Sequence, residues 1–557
     1  MEIRYKLATT KERDVPHDET ITSIVNSSAT VRQIEYATPK HDGRDILAWL
    51  SIGVVGLMAA ATFGLAFAPR DAEAIPSFAR QTGQPCASCH TDFPQLTPFG
   101  RRFKLGGYTM GGGMSIEEAP PISAMVIPTF TKTNVRQDAP PTNPNGYPIA
   151  HTNDNFVMQQ ASLFYGGTVY GNLGAFVQGT YDKASQHTFL DNTDIRYADT
   201  TKLLGVDVLY GLNVNNGPTV QDVWNTTPAW GYPFISPTLA PQFAPPGTII
   251  EGTFSGRSVG TGGYLFLNDA LYLEVAGYHN LSKGALNAVG QSCANNSDYV
   301  AALQIVAAAV NPPGSAFSSP CSAQSLSGAA PYWRVALEPT WGDHSFMIGA
   351  FGFYPEVLPG RIMGYGVDRY ADFGFDAQYQ WLSDPHAITL RFSRITERQQ
   401  LNSTFAQGVV NGLGVLPFGT GNGGSTNLTN TLTSLKASAS YVWDHTISGT
   451  VGFFNVYGTA DNLLYGNALT SPGLAAFGQP DGKGLTFDLS YTPFSKGGPS
   501  YYPWANAKLG LSYTHYLELF GGTTNFDGLG PYFNGSTWRT HNATDNNTLL
   551  LYSWVAF

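Results

Sequence analysis

Charge is what this 557-residue chain has least of. Charged side chains make up 13% of it, about half the ~25% of an ordinary soluble domain. Basic residues are the minority, 30 against 40 acidic, for a net charge of −10. That balance excludes nucleic acid as a partner, because phosphate backbones bind basic surfaces. Cysteine is scarce, with four residues, so a disulfide-dense scaffold is excluded as well. Leu, Ile and Val at helical or buried-strand spacing are also missing from most of the chain. Coiled coils, helical repeats and most soluble α/β enzymes fall with them. In their place stand 33 Phe, 29 Tyr and 62 Gly. So few charges also exclude bulk disorder.

The N-terminal region reads as an export signal with a polar preface. Ile46 to Ala68 is a nearly unbroken apolar run, preceded by Lys40 and Arg44 and followed by Ala72-Glu73-Ala74. This is the basic, apolar, small-x-small order of a secretory signal, with cleavage after Ala74. The run is long enough that an uncleaved membrane helix is the alternative. Residues 1–45 are polar and mixed in charge, and look like an extension of the signal's leading region or a start codon placed too early.

Cys86-Ala87-Ser88-Cys89-His90 has the spacing of c-type haem attachment. Two thiols add to the two vinyl groups of one haem, and the adjacent imidazole reaches the iron as proximal ligand. A zinc site needs four ligands, and no second pair lies nearby. A thioredoxin-like reading needs a βαβ context that is absent. Met110 and Met114 follow the motif and are the first candidates for the distal ligand. Met125, His151 and Met158 are alternatives. Arg80, Arg101, Arg102 and Lys104 are candidates to pair the haem propionates, because guanidinium forks match carboxylates. Thr97-Pro98 suits a helix start, with Thr97 as N-cap and Pro98 at the first position. The segment 75–121 is near the size at which domains stop folding unaided, so it must borrow walls from the rest of the chain.

From Ile122 onward, stretches of about ten residues alternate with period two. The spacing predicts strands at 122–134, 155–167, 173–183, 191–204, 206–214, 257–267, 270–280, 331–341, 344–354, 369–382, 387–397, 431–442, 446–457, 484–493, 505–516 and 548–557. Such lengths suit strands that cross a bilayer at a tilt. Two-residue turns at Asn268-Asp269, Gly342-Asp343 and Asp444-His445 alternate with long loops at 215–256, 281–330, 398–430 and 517–547. Short turns belong on the periplasmic side and long loops outside. The expected fold is all-β, a transmembrane antiparallel barrel of about 16 strands. A short helical haem segment plugs its lumen. The organisation is 1–74 extension and signal, 75–121 monohaem segment, and 122–557 barrel. Cys293 and Cys321, both in one outer loop, read as a disulfide in an oxidising compartment.

The stretch Ile75 to Gly83, then Cys86 to Pro94, then Leu96 to Arg101 with Phe103-Lys104-Leu105, resembles the fused monohaem cytochrome–porins. These are outer-membrane iron oxidases of iron-oxidising bacteria and their relatives. The resemblance covers about thirty residues, and beyond them only the architecture is shared. It implies Cys86 and Cys89 as thioether attachments and His90 as proximal ligand of one haem c. It also implies Fe(II) or another extracellular electron donor as substrate, with a periplasmic c-type cytochrome or cupredoxin as acceptor. The activity would be that of an Fe(II):cytochrome c oxidoreductase, in a barrel integral to outer-membrane lipid. Glu274, Asp372, Asp376 and Asp488 are the carboxylates that strands offer to a transient ferrous ion. The competing reading is a porin or solute channel whose haem is structural or sensory.

Overall fold

The computed structural model describes residues 76–111, 121–137, 140, 148–182, 186–241, 243–291, 324–359, 366–406, 424–465, 478–498, 502, 504–528, 532–533 and 538–557. The signal region 1–74, Met114 and the Cys293–Cys321 pairing lie outside these residues.

Period-two patterning makes sixteen long strands. They are β1 (Ile122–Thr133), β2 (Asn155–Tyr170), β3 (Leu173–Asp182), β4 (His187–Leu203), β5 (Val206–Asn215), β6 (Ser258–Leu267), β7 (Leu271–Asn280) and β8 (Ala330–Leu337). The second half adds β9 (His344–Phe353), β10 (Asp368–Ser383), β11 (His386–Gln400), β12 (Thr429–Trp443), β13 (Ile447–Gly458), β14 (Gly482–Tyr491), β15 (Asn506–Leu519) and β16 (Thr548–Ala556). Each strand pairs antiparallel with the next. Met125↔Ala556 and its neighbours join β16 back to β1, so the sheet closes. Closure removes both edges, leaving every strand paired on both sides.

Alternation decides which face looks where. On β10, Asp372, Asp376, Gln378 and Gln380 are buried while Phe373 and Phe375 are exposed outward. On β11, Thr389, Arg391, Ser393 and Glu397 are buried while Leu390 is exposed. A polar interior within an apolar outer face is the pattern of a barrel in lipid. The chain is therefore an integral membrane barrel of the outer-membrane type. An aromatic belt marks one rim. His344 stacks on Trp341 and bonds Tyr379 at 2.8 Å, and His386 stacks on Trp381 and bonds Tyr441 at 2.8 Å.

Five turns at that rim are short, 171–172, 204–205, 268–270, 384–385 and 444–446, while the connection at 492–505 is longer. Asn268 and Asp269 have φ of 49° and 54°, and Asp444 and His445 have 52° and 54°. These left-handed pairs match the twist of a two-residue hairpin. The rim is the periplasmic one by the loop-length rule.

The expectation of an outside loop at 215–256 needs correction. Residues 216–241 and 243–257 fold into the lumen. Trp224 is fully buried, and its Nε1 donates to Glu338 at 2.7 Å. Gln378 donates to the Trp224 carbonyl at 2.8 Å, and Lys436 pairs Glu251 at 2.6 Å. Aromatic and proline-rich chain has little to gain in water. Here its carbonyls and N–H groups find partners on the polar inner wall instead.

Candidate functional site

Three short helices precede the barrel: α1 (Pro76–Thr82), α2 (Cys86–Cys89) and α3 (Pro98–Leu105). Thr97 caps α3 as its composition requires. Its side chain accepts from Gly100 N at 3.1 Å, with Pro98 in the first turn. The cap also locks the cysteine turn in place. Thr97 Oγ1 donates to the Ser88 carbonyl at 2.6 Å, and Thr97 N to the Cys89 carbonyl at 2.9 Å. Gly100 passes so close to this turn that a Cβ would sit 2.3 Å from the Cys89 carbonyl oxygen. Only glycine fits there.

The segment is held by inward residues spread around the whole circumference. Cys86 N donates to Tyr502 Oη at 2.8 Å, and Ala87 N to the Ser495 carbonyl at 2.9 Å. Both partners belong to the periplasmic connection between β14 and β15. Asp92 pairs Lys508 at 2.7 Å and accepts from Ser448 at 2.8 Å. Gln95 donates to Ser440 at 2.9 Å, and Tyr108 to Asp194 at 2.6 Å. Phe103 and Tyr108 pack with Met125, Ile127, Phe164 and Phe176 of the wall. Burial of each large side chain is worth about 1.5–3 kcal/mol.

Beside α2 this packing leaves a cavity of about 380 Å³. Cys86, Cys89 and His90 lie along its wall, facing a set of aromatic rings that includes Phe78, Phe93, Phe176 and Trp230. Both cysteines are free thiols. Burial pushes the Cys86 thiol up and the Cys89 thiol to about 12, so both hold their protons. Burial pushes the His90 imidazole down to about 4, so the ring is neutral. The Gln95 and Pro94 carbonyls lie near the ring without closing a well-formed hydrogen bond to Nδ1. The site therefore presents two protonated thiols and one uncharged imidazole to an apolar space.

The sequence candidates around the motif are distributed unevenly. Arg101 is engaged elsewhere, pairing Glu338 and donating to Gln380 at 2.8 Å and Gln378 at 3.1 Å. Arg102 pairs Asp269 at the periplasmic turn. Arg80 donates to the Ile122 carbonyl at 2.9 Å and lies over Trp504. None of the three lines the cavity, whereas Lys104 does. Its Nζ donates to the carbonyls of Val220 at 2.6 Å and Asp222 at 2.9 Å. Met110 is 39% exposed and away from the cavity wall, and Met158 and His151 are also exposed. Met125, 3% exposed, is in the wall.

Two cations were not foreseen. Lys508 lines the cavity. Arg391 is buried over the Phe234 ring at 5.8 Å, and its three guanidinium nitrogens have no partner among the described residues. Their one sequence signal is an inward position on a strand, which does not distinguish them from other lumen residues.

Of the strand carboxylates, Asp376 pairs Arg334, Glu274 accepts from Asn213 at 2.9 Å, and Asp372 accepts from Ile250 N at 2.9 Å. Asp488 accepts from Tyr552 at 3.1 Å. No cluster able to hold a metal ion occurs among the described residues.

No family model matches the chain, and no curated protein matches it. Solved outer-membrane proteins do. The channel DcaP of Acinetobacter baumannii is 11% identical, with a TM-score of 0.38, over 78% of this chain and 96% of that one. OmpF of Salmonella typhi, in complex with daunomycin, is 12% identical at a TM-score of 0.36, over 78% and 97%. A loop-deletion mutant of OmpT from Vibrio cholerae is 8% identical at 0.35, over 78% and 98%.

Proposed function

We propose that the barrel is an electron conduit. It takes electrons from an extracellular donor, Fe(II) by the resemblance of its motif, and hands them to a periplasmic cytochrome or cupredoxin. The observation that carries this reading is the shared cavity. Cys86, Cys89 and His90 open onto one aromatic-walled space inside a closed barrel.

The donor set fits a c-type haem. Cys86 and Cys89 would hold it as thioethers, and the neutral His90 would be the proximal ligand. Met125 is the buried thioether in the cavity wall. It pairs in register with Ala556, which pairs with Asn506, whose Nδ2 is 3.7 Å from Cys86 Sγ. Arg391, without a hydrogen-bond partner among the described residues, and Lys508, which also pairs Asp92, flank Phe234 and would supply positive charge for propionates. Such a haem supplies one-electron redox chemistry. The aromatic rings in the cavity wall would lower the dielectric beside such a haem. Tyr502 and Ser495 hold the motif at the periplasmic end, where an acceptor docks. The inward 216–257 segment narrows the route from the outer mouth, so the donor must be a small ion or an electron carrier that stays outside.

The rival, a solute channel with a structural or sensory haem, shares the porin-like barrel. A lumen occupied by both α1–α3 and the 216–257 segment favours the conduit. The test is Fe(II) oxidation by intact cells carrying the wild-type chain or Cys89→Ala, with barrel assembly checked by heat-modifiable gel mobility. The conduit reading expects assembled variant and lost oxidation. Full oxidation by the variant overturns it.

A further inference from the structure

The outward face carries a feature that the redox reading does not use. Arg369, Arg394 and Arg398 project to the lipid side of β10 and β11, and all three are exposed. Outward charges elsewhere come with partners, such as Lys132 with Asp154 and Lys483 with Glu518. Arg369 has Glu356, but Arg394 and Arg398 have no ion-pair partner among the described residues. Register makes Arg369 and Arg398 diagonal neighbours: Arg369 faces Gln400, and Ala371 faces Arg398. Glu356 meets the charge of Arg369, so Arg394 and Arg398 are the guanidinium groups left without a carboxylate among the described residues.

Their depth identifies the anion. Ile388 faces Trp381 and Tyr441 of the periplasmic aromatic belt. Arg398 is ten residues further along the same strand. At about 3.3 Å per residue and a tilt of about 40°, that is roughly 25 Å along the membrane normal, one hydrocarbon thickness. Arg398 and Arg369 therefore sit at the headgroups of the outer leaflet. Arg394, lower on the strand, can snorkel up to them.

At this level a groove of about 430 Å³ opens, lined by Arg369, Arg398, Gln400, Thr429 and Thr431. Below it, Phe373, Phe375 and Leu390 are exposed to the lipid side. The arrangement runs from arginine forks to hydroxyl and amide groups to apolar rings. We propose that this groove binds one phosphorylated glycolipid of the outer leaflet. The arginines clamp its phosphates, the threonines and Gln400 meet its sugar, and the rings meet its acyl chains. The proposal does not depend on haem.

Native mass spectrometry of the full chain in detergent tests it, with lipid A, dephosphorylated lipid A, phosphatidylglycerol and inorganic phosphate as separate probes. Wild-type protein should retain one lipid A, and Arg394→Ala/Arg398→Ala should retain at least tenfold less. Arg398→Lys should fall between, since it keeps the charge and loses the fork. Dephosphorylated lipid A should bind no better than to the double variant, and millimolar phosphate should not displace lipid A. Heat-modifiable mobility verifies that each variant is folded. Equal lipid A retention by folded wild type and double variant overturns the proposal. So does equal retention of phosphatidylglycerol, or a double variant that alters only the oligomeric state.

Discussion

His90 is neutral because it is buried, and that has a measurable consequence for the haem-free chain. Its imidazole is held at about 4 in the fold against an ordinary 6.5. Above about pH 6.5 the ring is uncharged in both states, and its share of stability is fully present. As pH falls towards 4 the unfolded chain takes up a proton that the buried ring does not. Stability then drops by roughly 3 kcal/mol over that window. Denaturant titrations of haem-free protein between pH 7 and pH 4 should show the drop, and His90→Asn should flatten it. Met125 makes a second residue-scale prediction. If it is the distal ligand, Met125→Ala holoprotein keeps its covalent haem but loses the weak near-infrared thioether-to-ferric-iron absorption, and its potential falls. Spectra identical to wild type would assign the ligand elsewhere. The Cys86, Cys89 and His90 grouping was legible in the sequence because the three stand within one short local spacing, and the structure sets them on the wall of a single cavity. Met125 stood only among the alternatives, and Lys508 and Arg391 were not singled out. Strand pairing between residues hundreds of positions apart brings Met125 and Lys508 to the cavity and sets Arg391 over the ring of Phe234 in its wall. The arginines near the motif mislead for the same reason. What Arg101 does is decided by Glu338, Gln378 and Gln380.

Elements were more readable than sites. Each of the sixteen long strands lies where alternation placed it, because one face must meet lipid and the other a wet interior. The Thr97-Pro98 helix start formed as written. The 216–257 segment was misjudged, because length alone suggested an outer loop. Trp224, Trp230, Tyr232 and Phe234 in a supposedly solvated loop were the available sign of burial. Gly100 marks the tightest contact between elements. Gly100→Ala places a methyl group against the Cys89 carbonyl, which backbone must move to relieve. We expect a loss of about 1–3 kcal/mol and several-fold less haem-stained protein. Gly277→Ala, where a Cβ meets nothing within 4 Å, serves as the control and should change neither.

At the scale of the molecule, the proposed conduit needs a filled interior, whereas a solute channel needs an open one. Tyr108, Asp92 and Arg101 tie the 76–111 segment to the barrel, Lys104 ties it to the inward segment, and Trp224 and Glu251 tie that segment to the wall. Planar-bilayer recordings should therefore show little solute conductance compared with an open sixteen-strand porin. Deleting residues 217–250 should raise it severalfold. The central claim, that the cavity holds a covalent haem reducible by the outer donor, is tested most directly by one optical measurement. The visible spectrum of the purified full-length protein is recorded before and after Fe(II) is added without oxygen. The account predicts a covalently bound chromophore that gains the sharp α band of a reduced c-type haem. A chain without covalent haem, or a haem that Fe(II) leaves oxidised, would contradict it.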